Sequence, residues 1–174
     1  MRAWPALLLL ILPLVAAGQT SGSGETYSGR APWVETKVAL PQYPKTENYL
    51  PFQVSANTPF LFFVDAKSIS IGADDVVRYS LIAKSPDGGL NVSFEGMRCS
   101  TKQFRIYAFG RSDKTWSEVR RSRWEPIRGV AQQLQRFVLF EDFFCPLGVS
   151  IATVEEGVQG LRRGNNPLVV PLPY

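Results

Sequence analysis

Hydrophobic and polar positions follow two different rhythms along this chain, one on each side of residue 110. From Leu50 to Phe109 the pattern is that of a β-meander. Residues 60–64 (FLFFV) form a short continuous apolar run, which predicts a strand buried on both faces. Ile69 and Ile71 alternate with Ser68 and Ser70, as in a half-buried strand, and the turn-forming run 72–75 (GADD) ends it. Val77, Tyr79, Leu81 and Ala83 share one face of the next strand, and Leu90, Val92 and Phe94 share one face of the strand after it. Residues 85–89 (SPDGG) join the two. Pro sets φ, Asp bonds its own backbone, and Gly takes positive φ, so a hairpin is predicted here. Gly96 marks a candidate bulge, which leaves the face of Cys99 open. Residues 104–109 form a further strand, ended by Gly110 and Asp113.

Helical spacing follows. Pro126 suits the first turn of a helix, and Val130, Leu134, Phe137 and Phe144 recur along one face up to Pro146, with Phe140 and Phe143 widening the stripe. A shorter helix is predicted from Thr153. Its hydroxyl suits the N-cap, Glu156 suits the reciprocal position of a capping box, and Val154, Val158 and Leu161 form the apolar face. Arg162 and Arg163 suit the negative end of the dipole, and Gly164 suits the stop. The expected architecture is therefore α+β: an antiparallel meander of five to seven strands packed with one longer and one short C-terminal helix.

The ends of the chain carry other signals. Arg2 followed by about ten apolar residues and then by small residues at 15–18 predicts a cleavable signal peptide over residues 1–18. The apolar run is shorter than the roughly 20 residues of a membrane-spanning helix, and no later segment reaches that length. Residues 19–32 are small, polar and glycine-rich and read as a flexible leader. Residues 33–164 then form one domain, and residues 165–174 an extended, proline-rich tail.

Export changes the meaning of the two cysteines. Cys99 and Cys145 are the only pair, and an oxidising compartment favours a disulfide between them. The other reading, a catalytic thiolate, usually needs a base beside it, and the chain has no histidine. That absence removes Ser-His-Asp and Cys-His catalysis and every His-ligated metal or haem. Formal charge is +4 over 174 residues, an excess that permits contact with anionic surfaces without demanding it.

Several runs resemble the cryptic-neisserial-protein-like family, small exported proteins of Gram-negative bacteria. They are FFVDAKSISIGADDVVRYSL at 62–81, SFEGMRC at 93–99, RIYAFGRSD at 105–113, and Trp116 with SRWEPI at 122–127. LPQYP at 40–44 and FCP at 144–146 extend the likeness over residues 33–164. Residues 131–141 resemble the family least, so the first helix rests on its own periodicity. The resemblance implies a periplasmic location and a domain holding both cysteines. It implies no activity and supplies no catalytic residues.

The most suggestive local chemistry is the basic, aromatic segment 116–124 (WSEVRRSRW). Arg121 and Arg123 would share a face if the segment is extended, and guanidinium groups pair carboxylate or phosphate bidentately. Trp116 and Trp124 offer faces for stacking. The plainer reading is an edge strand and loop whose tryptophans plug the sheet end under the arginine stems. Asp65, Asp74, Asp75 and Asp113 match no calcium-loop spacing and read as solvated turn carboxylates. Lys67-Ser68 and Ser100-Thr101-Lys102 match no Ser/Lys catalytic motif. The adjacent pairs Glu141-Asp142 and Glu155-Glu156 diverge on a helix, unlike a glycosidase pair. No metal and no cofactor is implied. The leading function class is a non-catalytic periplasmic protein that binds a partner or serves envelope assembly. That partner would be an envelope protein or an anionic glycan or lipid surface, not nucleic acid. A binder of small molecules or glycans in an aromatic/arginine cleft comes second, and an enzyme third.

Overall fold

The computed structural model describes residues 32–164. The expected signal peptide, all but the last residue of the leader, and the tail lie outside the described residues. Among the described residues, eight strands form one antiparallel sheet: β1 (Tyr49–Phe52), β2 (Leu61–Asp65), β3 (Ser70–Ile71), β4 (Val76–Lys84), β5 (Leu90–Arg98), β6 (Gln103–Gly110), β7 (Trp116–Glu118) and β8 (Glu125–Pro126). Six lie in the spatial order β1-β2-β4-β5-β6-β7; β3 pairs with β4, and β8 pairs with β6. The first helical segment opens as a 3-10 turn (Ala131–Gln133), continues as α1 (Leu134–Val138) and closes as a π-helical turn (Leu139–Phe144). Helix α2 (Val154–Arg163) follows.

The hairpin at 85–89 forms as its turn chemistry requires. Ser85 and Gly89 close the turn, and Gly88 takes φ 85°. The side-chain bond to the backbone comes from Ser85, whose hydroxyl accepts from the N–H of Gly89 at 3.0 Å. The strands it joins do not present their two apolar stripes to the same side. Across the β4–β5 pair, Val77 faces Met97, Tyr79 faces Glu95 and Leu81 faces Ser93. These residues point toward the helices, where Tyr79 meets Phe144 at 5.0 Å between ring centres. Val92 and Phe94 lie on the opposite face, opposite Ile82 and Ser80. Strand β4 is buried on both faces from Val76 to Ile82.

The main core fills the helix side. Val77, Tyr79, Leu81, Met97 and Phe104 pack there with Leu139, Phe140, Phe143, Phe144, Ile151, Val158 and Leu161. On the other side Phe94, Tyr107 and Ala108 form a smaller cluster, covered by Val38, Leu40 and Trp116. Segment 33–44 thus lies over the second face without joining the sheet. The irregularity near Gly96 falls in β6. Phe94 pairs with Ala108 and Glu95 with Ile106, which leaves Tyr107 as the extra residue. A Cβ at position 96 would come within 2.3 Å of the Tyr107 hydroxyl, so glycine is what lets that ring lie across β5.

The disulfide joins Cys99, just after β5, to Cys145, just after the π-helical turn, with 5.3 Å between Cα atoms. It ties the first helical segment to the sheet. Helix α2 is capped at both ends: Thr153 accepts from the N–H of Glu156 at 3.2 Å, and Gly164 takes φ 84°. Glu156 reaches back one residue further than a capping box does, to the N–H of Ala152.

Two expectations need correction. Pro126 does not open a helix; it sits in β8 opposite Gln103, and helical structure begins at Ala131. An edge position suits proline, which has no N–H to give, and Ile127 supplies the next bond, to Lys102 O at 2.9 Å. The run 60–64 is not buried on both faces either. Phe60 and Leu61 are exposed, Phe62 and Phe63 half-buried, and only Val64 and Asp65 are enclosed. Strand β2 lies next to the edge, and the four-residue β1 is its outer neighbour.

Candidate functional site

Between its pairings with β7 and β8, the edge of β6 carries the segment 119–124 as a loop. The strand expected through the arginines ends at Glu118, and a turn closes from Ser122 N to Val119 O. Strand alternation therefore does not govern Arg121 and Arg123. The loop is pinned at three points instead. Val119 N donates to Tyr107 O at 2.8 Å. The Ser122 hydroxyl donates to the carbonyl of Ile106 and accepts from Arg105 Nε. The Trp124 indole donates to Glu35 Oε2 at 3.3 Å and stands edge-on to Trp33. What remains outside is Arg120, Arg121 and Arg123. All three are exposed, and among the described residues none has an ion pair or hydrogen bond through its guanidinium group.

The contrast with the interior arginines is sharp in chemical terms. Arg78 makes two bonds to Asp74 (2.6 and 3.1 Å). Arg105 pairs with Glu35 at 2.5 Å, and the same carboxylate accepts from the Tyr107 hydroxyl at 2.7 Å. Arg136 makes two 2.7 Å bonds to Glu95, and Arg98 lies over the Trp33 ring at 3.8 Å. Burying a charge without a partner costs several kcal/mol; Arg78, Arg105 and Arg136 are each answered by a carboxylate, while the three on the loop are left to solvent.

The two tryptophans do not join Arg121 and Arg123 in a cleft. Trp116 is half-buried: its indole donates to Pro41 O at 2.9 Å, and its ring packs on Tyr43 and Phe94. Trp124 is turned inward onto Glu35. A groove of about 220 Å³ beside the loop is lined by Val38, Leu40, Arg105, Tyr107, Val119 and Ser122, together with Glu118, and neither indole takes part. Trp116 and Trp124 hold the loop in place, and the guanidinium groups alone face outward.

The carboxylates also differ from the reading of solvated turns. Asp75, at φ 59°, and Asp113 are exposed, and Asp113 accepts from the N–H and hydroxyl of Thr115. Asp65 is enclosed, and burial pushes its carboxyl up. Asp74 is enclosed too. Burial alone would raise its pKa, but the Arg78 guanidinium and the N–H and hydroxyl of Thr36 outweigh that and hold the carboxyl well below the usual range. Glu141 and Asp142 are half-buried, and Glu141 pairs with Lys102 at 2.5 Å. Lys102 is thereby engaged, and Ser68 spends its hydroxyl on Asp65 O and Ser80 N. Among the described residues no group of three or more His, Cys, Asp or Glu side chains stands close enough to hold a metal ion, and no helix is long and apolar enough to cross a membrane.

Asp74 carries a pH signature. Its folded pKa lies below its unfolded value near 3.9, so its contribution is present above about pH 4 and is lost as pH falls through that value and below. The stability difference between wild type and Asp74→Asn, read from urea midpoints, should narrow steadily between about pH 5 and pH 2. A difference that stays constant over that range would contradict the pairing.

The sequence reading missed Glu35, Asp74–Arg78 and Glu95–Arg136. Only Asp74–Arg78, four residues apart, had a local signal; the other partners stand 41 or more residues apart.

The CNP1-like family model matches residues 28–162, and the chain belongs to that family, the one its motifs resemble. No curated protein and no solved structure matches it.

Proposed function

We propose that this member of the CNP1-like family works in the periplasm, after removal of residues 1–18, as a non-catalytic protein that binds an acidic partner through the loop 119–124. The observation that carries the reading is the unpaired state of Arg120, Arg121 and Arg123 on a loop that is otherwise fixed. A loop pinned by Val119, Ser122 and Trp124 loses little freedom on binding, and guanidinium forks fit carboxylates in two-point geometry. Three such groups within four residues form a small, dense positive patch, suited to an acidic cluster on an envelope protein. An anionic glycan or lipid surface would meet the same charges.

Charge reversal at Arg121 and Arg123 separates binding from folding. Both side chains are exposed, so Arg121→Glu/Arg123→Glu should leave stability within about 0.5 kcal/mol of wild type. The variant should nevertheless fail to retain the envelope protein that wild type retains after crosslinking and affinity capture. Unchanged capture would remove the loop from the function. Loss of capture together with a loss of several kcal/mol in stability would make the arginines structural.

A further inference from the structure

We infer that the cleft between segment 42–49 and the β6–β7 turn is a second binding site, for a short saccharide carrying carboxylate groups. The cleft has a volume of about 730 Å³, within the range of small-molecule sites, and lies at the end of the sheet away from the arginine loop across β7. Its walls combine two ring faces with three cations: Tyr43 and Tyr49, and Lys45, Arg111 and Lys114. One lining residue, Glu47, is acidic; Asp113, beside Tyr43, is turned onto Thr115.

These groups are held in place and left unused. Tyr43 is backed by Trp116 at 5.3 Å and Tyr49 by Phe63 at 5.5 Å. A Cβ at Gly110 would stand 2.9 Å from the Tyr43 ring, so the β6 backbone must be bare for that ring to seat. The turn that offers Arg111 and Lys114 is closed by Arg111 N to Thr115 O and Lys114 N to Arg111 O, with Lys114 at φ 63°. Among the described residues the hydroxyls of Tyr43 and Tyr49 and the ammonium groups of Lys45 and Lys114 have no hydrogen-bond or ion-pair partner. Arg111 has the Ser117 hydroxyl, at 3.2 Å, and the charge of Asp113 near it.

That combination selects among ligands. Tyrosine rings take the apolar C–H face of a pyranose, phenol hydroxyls and the Gln42 amide answer sugar hydroxyls, and the cations need an anion to answer them. A neutral sugar would leave the ammonium groups unanswered, and a simple inorganic anion would leave the rings bare. The inference is independent of the arginine loop and stands or falls separately from it.

The test is a titration of the mature chain with tetragalacturonate, followed residue by residue in ¹H–¹⁵N spectra, with maltotetraose as the neutral comparison. Saturable shifts are expected at residues 42–49 and 110–114, with maltotetraose weaker by about tenfold or more. Lys45→Glu/Lys114→Glu should weaken tetragalacturonate by at least about tenfold while the rest of the spectrum superimposes on wild type. Tyr49→Phe, which removes one hydroxyl and keeps the ring, should weaken it less. Arg121→Glu/Arg123→Glu should leave the titration unchanged. The absence of saturable shifts at about 10 mM would overturn the inference, as would shifts centred on 119–124 or equal affinity for the neutral sugar.

Discussion

Replacing Cys99 and Cys145 together by serine is expected to lower the stability of the fold by about 4 kcal/mol, the chain-entropy value for a loop of this length. That is a large part of the 5–15 kcal/mol typical of a domain. The bridge joins the end of β5 to the end of the π-helical turn, 46 residues apart. It therefore fixes the one element whose helical geometry is mixed. Without it, α1 and the π-helical turn are held to the sheet by Phe140, Phe143 and Phe144 and by the Arg136–Glu95 pair. Urea unfolding of the oxidised wild type and the double variant measures the difference, and thiol titration of the untreated wild type should find no free thiol. A difference below about 1 kcal/mol would mean that packing alone holds the segment.

Arg136→Met is expected to be comparably damaging, by about 3–5 kcal/mol, because it leaves Glu95 charged and enclosed without its cation. Glu95 is 0% exposed and takes both guanidinium bonds from Arg136, with further bonds from the hydroxyls of Ser93 at 2.6 Å and Tyr79 at 3.4 Å. Two hydroxyls do not replace a cation in that setting. Burial, and next the Glu95 charge, push the Tyr79 phenol well above its ordinary range, so it stays a neutral donor. Arg136 also lies over the Phe104 ring at 4.4 Å, and methionine retains part of that contact. The expected loss is therefore mostly electrostatic. Glu95→Leu/Arg136→Met should recover most of it, since an apolar pair of similar size carries no desolvation cost. If Arg136→Met costs under about 1 kcal/mol, Ser93 and Tyr79 suffice for Glu95 and the pair is not what holds the segment.

Glu95 also shows where the sequence was readable and where it was not. The β4–β5 hairpin was legible because its turn chemistry is local: SPDGG specifies the turn without help from the rest of the fold. Helix α2 was legible for the same reason, from Thr153 at one end to Gly164 at the other. The orientation of β5 was not. Its apolar stripe, Val92 and Phe94, suggested one buried face, whereas both faces are enclosed. The face toward the helices carries Ser93 and Glu95, polar residues made tolerable by an arginine 41 residues further on. Alternation reports which residues differ from their neighbours; it cannot report a charge neutralised from elsewhere in the chain. Segment 33–44 was obscure for a related reason. It has no periodicity because it forms no strand or helix, yet Trp33, Glu35 and Thr36 satisfy Asp74, Arg105 and Tyr107 across the second face.

At the candidate site the residue types were legible and their division of labour was not. The sequence grouped Trp116, Arg121, Arg123 and Trp124 as one surface. In the folded chain the tryptophans and Ser122 point inward to anchor the loop, and Arg120 joins the two expected arginines outside. The edge position of Pro126 depends on tertiary pairing with β6, and neither it nor the π-helical turn leaves a mark in local spacing. The cleft at Tyr43 and Lys114 likewise joins segments about 70 residues apart, with no shared motif to connect them.

The most direct measurement of function is contact from the loop itself. A photo-crosslinking residue placed at position 121 of the full chain, and separately at position 155 on α2, reports what each surface touches in intact cells. Both positions are exposed, so both variants should fold. A discrete protein adduct from position 121, absent from position 155 and lost when Arg120 and Arg123 are reversed to Glu, is the expected result. No adduct from position 121, or the same adduct from both positions, would contradict a partner held at the arginine loop.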